Sequence, residues 1–148
     1  MKREIVFRGK SDVTNKFVFG DLVRNLDGRL TIIPPFKDGM NNHCDKYEID
    51  ENTIGQFTGL KDKNDKEIYE GDIVKTPMGN IGIIKFGTHE DIVHTREATR
   101  QGYNVDCFEC TGWIFENIKT KEVVFMDSSV IAGDVIGNIY DNPELLKQ

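Results

Sequence analysis

Short runs of alternating apolar and polar side chains make up most of this chain, and they predict β-strands. Lys16–Asn25 places Phe17, Phe19 and Val23 on one face at a period of two. The following Asp27-Gly28 pair predicts a hairpin turn, because Asp-Gly supplies the positive φ that tight hairpins require. The same reasoning predicts further strands at Glu4–Arg8, Arg29–Ile33, Asn52–Phe57, Asp72–Thr76, Ile81–Phe86, Val105–Cys110, Trp113–Ile118, Glu122–Met126 and Asp134–Tyr140.

Three segments depart from that pattern. Thr88–Gln101 opens on a capping-box pattern and ends before a glycine, but its apolar stripe is thin, so we expect either a short helix or an ordered loop. Thr111-Gly112 predicts a turn between two strands. Asn142–Leu146 predicts a one-turn helix, with Asn as the cap and Pro in the first turn.

Turn signals every 8 to 12 residues or so are typical of a β-sandwich or barrel. We therefore expect a mainly β protein with a small barrel-like, antiparallel sheet architecture and a short C-terminal helical turn. The length of 148 residues fits a single domain over residues 1–148. Within it we expect an N-terminal β subdomain at 1–46 and an SH3-like or barrel subdomain at 47–148.

Composition narrows the functional classes. A net charge of −6 and a pI of about 5.1 provide no global basic field for nucleic acid or anionic lipid. Nine Phe and four Tyr argue against disorder. The apolar run Val123–Met126 is far shorter than a membrane span, and three cysteines are poor material for a disulfide framework. We therefore expect a cytoplasmic protein without a membrane partner.

The most distinctive stretch is the central block Thr53–Val74, in which polar residues exceed what a strand–turn–strand needs. This block, the opening Met1–Arg8 and the ending Val135–Leu146 resemble the YopX family of phage- and prophage-encoded proteins. The chain departs from that family at Gly9, where a Trp usually follows soon after the first Arg. No family motif matches residues 88–106.

The resemblance implies a mostly β, barrel-like fold and a phage or prophage origin in a bacterial host. It implies no reaction, because the family is functionally uncharacterised. From the residues themselves, we identify no catalytic constellation: glycine-rich phosphate loops, nucleophile elbows and the HExxH arrangement are all missing. We therefore expect no catalytic residue and no cofactor, and a role that is not enzymatic.

A CxxC pair, Cys107 and Cys110, raises a minor alternative, a zinc-stabilised structural domain completed by Cys44 or His43. Neighbouring strand positions face opposite ways, so one of His43 and Cys44 at most reaches such a metal. Chelation by both cysteines also needs a turn between them. Unligated thiols therefore remain the preferred interpretation, with no metal site assigned.

Polar residues of the central block are the best interaction candidates, although turn chemistry and edge protection are the alternative explanation for several of them. Our leading hypothesis is a non-enzymatic interaction module that binds a protein partner or itself. The rival is a nucleic-acid-binding module, since Gly71–Lys85 resembles the strand–turn–strand of SH3-like barrels. The candidate residues are Gln56, Thr58, Asp62, Lys63, Tyr69 and Glu70.

Overall fold

The computed structural model describes residues 3–35, 45–99 and 102–147, with residues 91–99 and 102–108 described by their backbone. Its first half is a five-stranded antiparallel sheet in the order β1-β2-β3-β4-β5, in which β1 also pairs with β4. The strands are β1 (Phe7–Ser11), β2 (Phe17–Arg24), β3 (Leu30–Ile33), β4 (Tyr47–Lys61) and β5 (Glu67–Tyr69).

A second five-stranded antiparallel sheet follows, in the order β10-β6-β7-β8-β9. Only two residues, Glu70 and Gly71, separate the last strand of the first sheet from the first strand of the second. The strands are β6 (Asp72–Lys75), β7 (Ile81–Thr99), β8 (Gly102–Asn117), β9 (Val123–Phe125) and β10 (Asp134–Asn138).

Two short helices complete the described chain, α1 (Ser128–Ile131) and a 3-10 helix at Pro143–Lys147. Asp127 caps α1 by accepting hydrogen bonds from the backbone N–H groups of Ser129 and Val130. The 3-10 helix confirms the predicted C-terminal helical turn. Neither helix is long and apolar enough to cross a membrane.

The expected mainly β, antiparallel class is confirmed, and in the described part of the chain the sheets form two assemblies with no closed barrel. Each sheet contributes its own apolar cluster. The first consists of Leu30, Ile32 and Ile49. The second consists of Ile68, Val74, Ile84, Phe115 and Val130, so β5 of the first sheet packs into the core of the second. Burial of these apolar side chains is the main force that holds the sheets together.

Two sequence-based expectations are wrong. Residues 88–99 form neither a helix nor a loop but the continuation of β7, while Arg100 and Gln101 lie outside the described residues. Thr111-Gly112 is not a turn, because β8 runs through it without a break. In both cases the backbone hydrogen bonds of a long β7–β8 ladder determine the structure, and that pairing leaves little trace in the local pattern.

The long ladder has a second consequence. β6 pairs with Ile81–Ile83 at the start of β7, and β9 pairs with Ile114–Glu116 at the end of β8. Beyond them the two strands continue as a two-stranded ribbon, which we call the arm and define as residues 87–99 and 102–112. Thirteen residues at about 3.3 Å each give the arm a length of about 40 Å. Gly87 and Gly112 lie directly opposite each other at its base.

Candidate functional site

The central block lies where the two sheets meet. We call this region the joint and define it by the residues whose side chains link the strands there, Arg8, Thr58, Asp62, Tyr69 and Asp72. Arg8 on β1 and Asp72 on β6 form an ion pair of 2.7 Å, and their side chains are only 7% and 3% exposed. Arg8 also donates to the carbonyl oxygen of Glu70 at 3.2 Å, and Asp72 accepts from the backbone N–H of Tyr69 at 2.7 Å. Burial raises the pKa of Asp72, and the Arg8 guanidinium and the Tyr69 N–H act in the opposite direction. The pair therefore connects three strands through buried charge.

Aromatic rings enclose the Arg8 guanidinium. Its central carbon lies 4.6 Å from the ring centroid of Phe17 and 5.0 Å from that of Tyr69. The Tyr69 ring also packs against Phe19 and Phe57 at 5.4 Å each. These contacts account for a buried cation in a small β protein, because the aromatic faces replace part of the hydration that Arg8 loses.

Tyr69 is buried in this cluster, and its hydroxyl donates to the Glu67 carboxylate at 2.8 Å. Burial and that hydrogen bond both raise the pKa of Tyr69. The phenol therefore stays protonated at physiological pH. Its hydroxyl is already committed to a neighbour on the same strand.

Asp62 organises the turn between β4 and β5. One carboxylate oxygen accepts from the N–H groups of Asn64 and Lys66 at 2.8 and 3.0 Å, and the other accepts from the N–H of Val135 on β10 at 3.0 Å. Burial opposes ionisation, but these three donors leave the pKa of Asp62 below its usual range. Asp62 is thus a second bridge between the sheets.

Lys63 extends this bridge with an ion pair to Asp134 at 2.7 Å, and the Asn64 side chain donates to the same carboxylate at 2.8 Å. The hydrogen bond from Lys63, followed by the one from Asn64, lowers the pKa of Asp134. Thr58 is buried and donates to the carbonyl oxygen of Ile68 at 2.8 Å. Four of the predicted interaction candidates therefore hold the joint together.

The remaining two candidates, Gln56 and Glu70, meet through their backbones, with the Glu70 N–H donating to the Gln56 carbonyl at 3.0 Å. Gly55 makes this approach possible. A Cβ at Gly55 would lie 2.5 Å from the Glu70 carbonyl oxygen. The structure thus brings all six predicted residues to one junction, where each makes hydrogen bonds within the fold.

The basic side chains at the joint, Arg8 and Lys10, were not predicted from the sequence. Besides Arg8, Lys10 is buried and forms an ion pair with Asp141, and its Nζ lies 5.6 Å from the centroid of the Phe17 ring. The hydrogen bond from Lys10, followed by one from Asn138, lowers the pKa of Asp141. Arg8 lies in the N-terminal segment that carried the family resemblance, which was the available signal.

A groove with a volume of about 640 Å³ opens beside the joint. Its charged side chains include the cations Arg8, Lys61 and Lys66 and the anions Asp65, Glu67 and Asp72, so the lining is balanced in charge. The Tyr69 hydroxyl is already hydrogen-bonded to Glu67, and the Asp72 carboxylate already accepts from the Tyr69 N–H. Among the described residues, no cluster of His, Cys, Asp and Glu has a metal-binding arrangement.

The zinc alternative receives no support from the described residues. Cys107 and Cys110 are three positions apart on the unbroken strand β8, an interval that places two positions on opposite faces. Cys110 is an exposed free thiol. His43 and Cys44, the other proposed ligands, lie outside the described residues.

The arm is the other feature that the sequence did not reveal. Among the described residues, no third strand pairs with either edge of the arm. The joint differs from it. There the Tyr69 N–H is bonded to Asp72, and the Val135 N–H is bonded to Asp62. Side chains therefore block strand edges at the joint, whereas the arm presents open backbone edges.

Comparison with known proteins gives one family. A family model described as YopX protein matches residues 6–147, which covers nearly the whole chain and includes both the joint and the arm. A search of curated proteins finds no match.

Proposed function

We propose, from the premise that the chain belongs to the YopX family, that it acts as a non-enzymatic interaction module whose arm binds a protein partner. The observation that carries this proposal is the arm itself, two long strands that leave the sheet with both edges unpaired in the described part of the chain.

The physical argument concerns backbone hydrogen bonds. A strand edge presents a row of N–H and C=O groups that can pair with another extended segment. A two-stranded ribbon is at best marginally stable by itself in water, and a third strand supplies the missing stabilisation. Strand addition to an exposed edge is a recurrent mode of peptide recognition. Binding to the arm therefore stabilises both the complex and the arm.

The joint supports the proposal from the opposite direction. The carboxylates of Asp62 and Asp72 accept hydrogen bonds from the edge N–H groups of Val135 and Tyr69, respectively. These N–H groups are therefore not available to an added strand, and that part of the molecule is protected against strand addition. The fold thus blocks its edges where the sheets meet and leaves them open along the arm. Such a contrast favours the arm as the binding element.

The setting of this activity extends the proposal. The family resemblance supports a phage or prophage protein that works in the cytoplasm of a bacterial host. The net charge of −6 favours a protein partner over nucleic acid, because phosphate contacts require a basic surface.

An arm-shortened variant tests the proposal. Residues 90–109 are replaced by Asn-Gly, which joins the paired positions His89 and Cys110 by a tight hairpin turn. Full-length and shortened proteins are compared by affinity capture from cells that carry the gene and by light scattering. We expect the full-length protein alone to retain a protein partner or to self-associate.

The control is the folded state of the shortened variant. Both proteins should show the same cooperative urea transition, since none of the core residues described above lies between 90 and 109. The proposal is wrong if the shortened variant keeps the same partner or oligomeric state. It is equally wrong if the full-length protein is a monomer that captures only nucleic acid or nothing.

A further inference from the structure

We propose that one face at the base of the arm binds an extended segment of a partner protein that carries a large apolar side chain and, four residues along, an Arg or Lys. This inference rests on the proposed function and specifies the chemistry of the partner. We call this surface the docking face and define it by three cross-strand pairs, Phe86 with Trp113, Thr88 with Thr111, and Glu90 with Glu109.

The docking face continues the core face of the second sheet. Ile84 and Phe115 form the preceding pair on the same face, and both are buried in the apolar cluster. One step outward, the same face carries the cross-strand pair of Phe86, which is exposed, and Trp113, which is half-buried. The core therefore ends on an aromatic pair in partial contact with solvent.

The aromatic pair of Phe86 and Trp113 presents an apolar surface to which a partner side chain can bind. Its rings pack edge to face with centroids 5.1 Å apart, and Phe86 is 56% exposed. Val124 on β9 pairs with Phe115 and is 44% exposed, which enlarges the apolar area beside Trp113. Contiguous exposed apolar groups bordered by polar ones mark interaction sites, and aromatic residues dominate binding energy at such sites.

The outer end of the docking face determines the charge of the partner. Glu90 and Glu109 are exposed and directly opposite each other, and like charges in that position destabilise a strand pair. Neither carboxylate forms a salt bridge within the described residues. Farther down the ladder, Lys85 and Glu116 do form one at 2.7 Å. A cation from a partner would remove the repulsion between the two glutamates.

The hydroxyl pair between the two ends fixes the spacing. Thr88 and Thr111 are hydrogen-bonded to each other at 3.1 Å and separate the aromatic pair from the carboxylate pair by one step on each side. Phe86 and Glu90 are four residues apart, or about 13 Å along a strand. In an extended partner segment, side chains at positions i and i+4 face the same way and span that distance.

The net charge of −6 makes a second copy of this chain a poor occupant of an acidic face. A basic segment of another protein is the occupant that complements both the apolar and the carboxylate ends. The alternation of side chains along such a segment also leaves its backbone available to pair with an edge of the arm.

Trp113 is the only tryptophan of the chain, so its fluorescence reports directly on this face. The probes are three synthetic peptides in a background of Ser and Thr. The first has Leu and Arg four residues apart, the second has Glu in place of Arg, and the third has Arg three residues from Leu, which turns it to the opposite side. Full-length protein is titrated with each peptide at low and moderate salt.

We expect a saturable change in Trp113 fluorescence with the first peptide alone, weaker at higher salt. For the double variant Glu90→Gln and Glu109→Gln, the Kd of the first peptide should be at least about tenfold higher than for the wild type, equivalent to about 1.4 kcal/mol. The same variant should unfold at an equal or higher urea concentration, because it removes a like-charge pair. That measurement excludes misfolding as the cause.

The inference is overturned if the three peptides titrate alike, if the first peptide gives no saturable signal, or if the double variant binds it unchanged. The proposed function can be judged separately. If the double variant retains the partner or assembly that the arm-shortened variant loses, the arm remains the binding element and the docking face is refuted.

Discussion

Replacing Asp72 by Ala is the most direct test of how the two sheets are held together. The substitution leaves the Arg8 guanidinium buried without its counter-ion and the Tyr69 N–H without its acceptor. Removing one partner of a buried ion pair costs about 3–5 kcal/mol, because the remaining charge is uncompensated. An unsatisfied buried N–H adds about 1–3 kcal/mol. Since domains of this size are stable by about 5–15 kcal/mol, we expect a large loss of the free energy of unfolding.

The assay is urea denaturation followed by circular dichroism and by Trp113 fluorescence. A double-mutant cycle isolates the pair: Arg8→Met combined with Asp72→Ala removes both charges and leaves mainly the unsatisfied Tyr69 amide. We therefore expect the double variant to be more stable than Asp72→Ala alone by about 2 kcal/mol. Asp72→Asn keeps an acceptor for that amide and should fall between Asp72→Ala and the wild type.

A partly exposed ion pair of the same length provides the matched control. Lys85 and Glu116 are also 2.7 Å apart, but their side chains are 44% and 24% exposed. Lys85→Met should therefore cost less than about 1 kcal/mol. If Asp72→Ala is no more destabilising than Lys85→Met, or if the effects of Arg8→Met and Asp72→Ala simply add, the buried pair is not what holds the joint.

Three further predictions concern the joint. Because the pKa of Asp62 is lowered on folding, its contribution to stability is present above the unfolded pKa of about 3.9 and is lost as pH falls through the folded value. In urea titrations at a series of acidic pH values, the free energy of unfolding of Asp62→Asn should therefore fall less steeply with decreasing pH than that of the wild type. Because burial and the Glu67 hydrogen bond raise the pKa of Tyr69, the stability it confers is present below about pH 10 and is lost as pH rises through the raised folded value. Tyr69→Phe should remove a phenolate that appears above the ordinary tyrosine range in an ultraviolet absorbance titration, and an unchanged titration would contradict the assignment. Gly55→Ala should lower the urea midpoint, because its Cβ would lie 2.5 Å from the Glu70 carbonyl oxygen. An unchanged midpoint would mean that the backbone at this position moves to make room for the methyl group, which contradicts the close packing.

Sequence patterning predicted the parts of the fold that local physics controls. Lys16–Asn25 and Arg29–Ile33 were expected as a hairpin, and the structure has strands at Phe17–Arg24 and Leu30–Ile33. The turn between them contains Gly28 at φ +86°, as Asp-Gly predicts. Strand β6 and the C-terminal turn were likewise close to their predicted positions.

Long-range pairing was not visible in the sequence. Arg8 and Asp72 are 64 positions apart, and no local pattern indicates that a β1 arginine is to be buried against a β6 aspartate. Glu67–Tyr69 is too short to show periodicity and becomes β5 through pairing with β4. The cap at Asp127 before Ser-Ser was a readable helix signal that the strand-dominated pattern obscured.

The candidate site was predicted only in its location. The central block was correctly identified as the most distinctive segment, but the hydrogen bonds of Thr58, Asp62 and Tyr69 lie within the joint. Their role as interaction residues stays a prediction. The arm was not predicted, because residues 88–99 have too few apolar positions to define a strand face.

The opposed glycines at the base of the arm have a consequence for how this protein can diversify. Gly87 and Gly112 contribute no side chain to the ladder, and on the same face the next arm residue, His89, packs its ring against Phe125 of β9 with centroids 5.4 Å apart. Pairs of residues can be inserted or removed beyond His89 without altering the registers of β6 and β9, because both of these strands pair with the ladder on the sheet side of the two glycines. The length and the sequence of the arm can therefore change during evolution while the two sheets keep their stability.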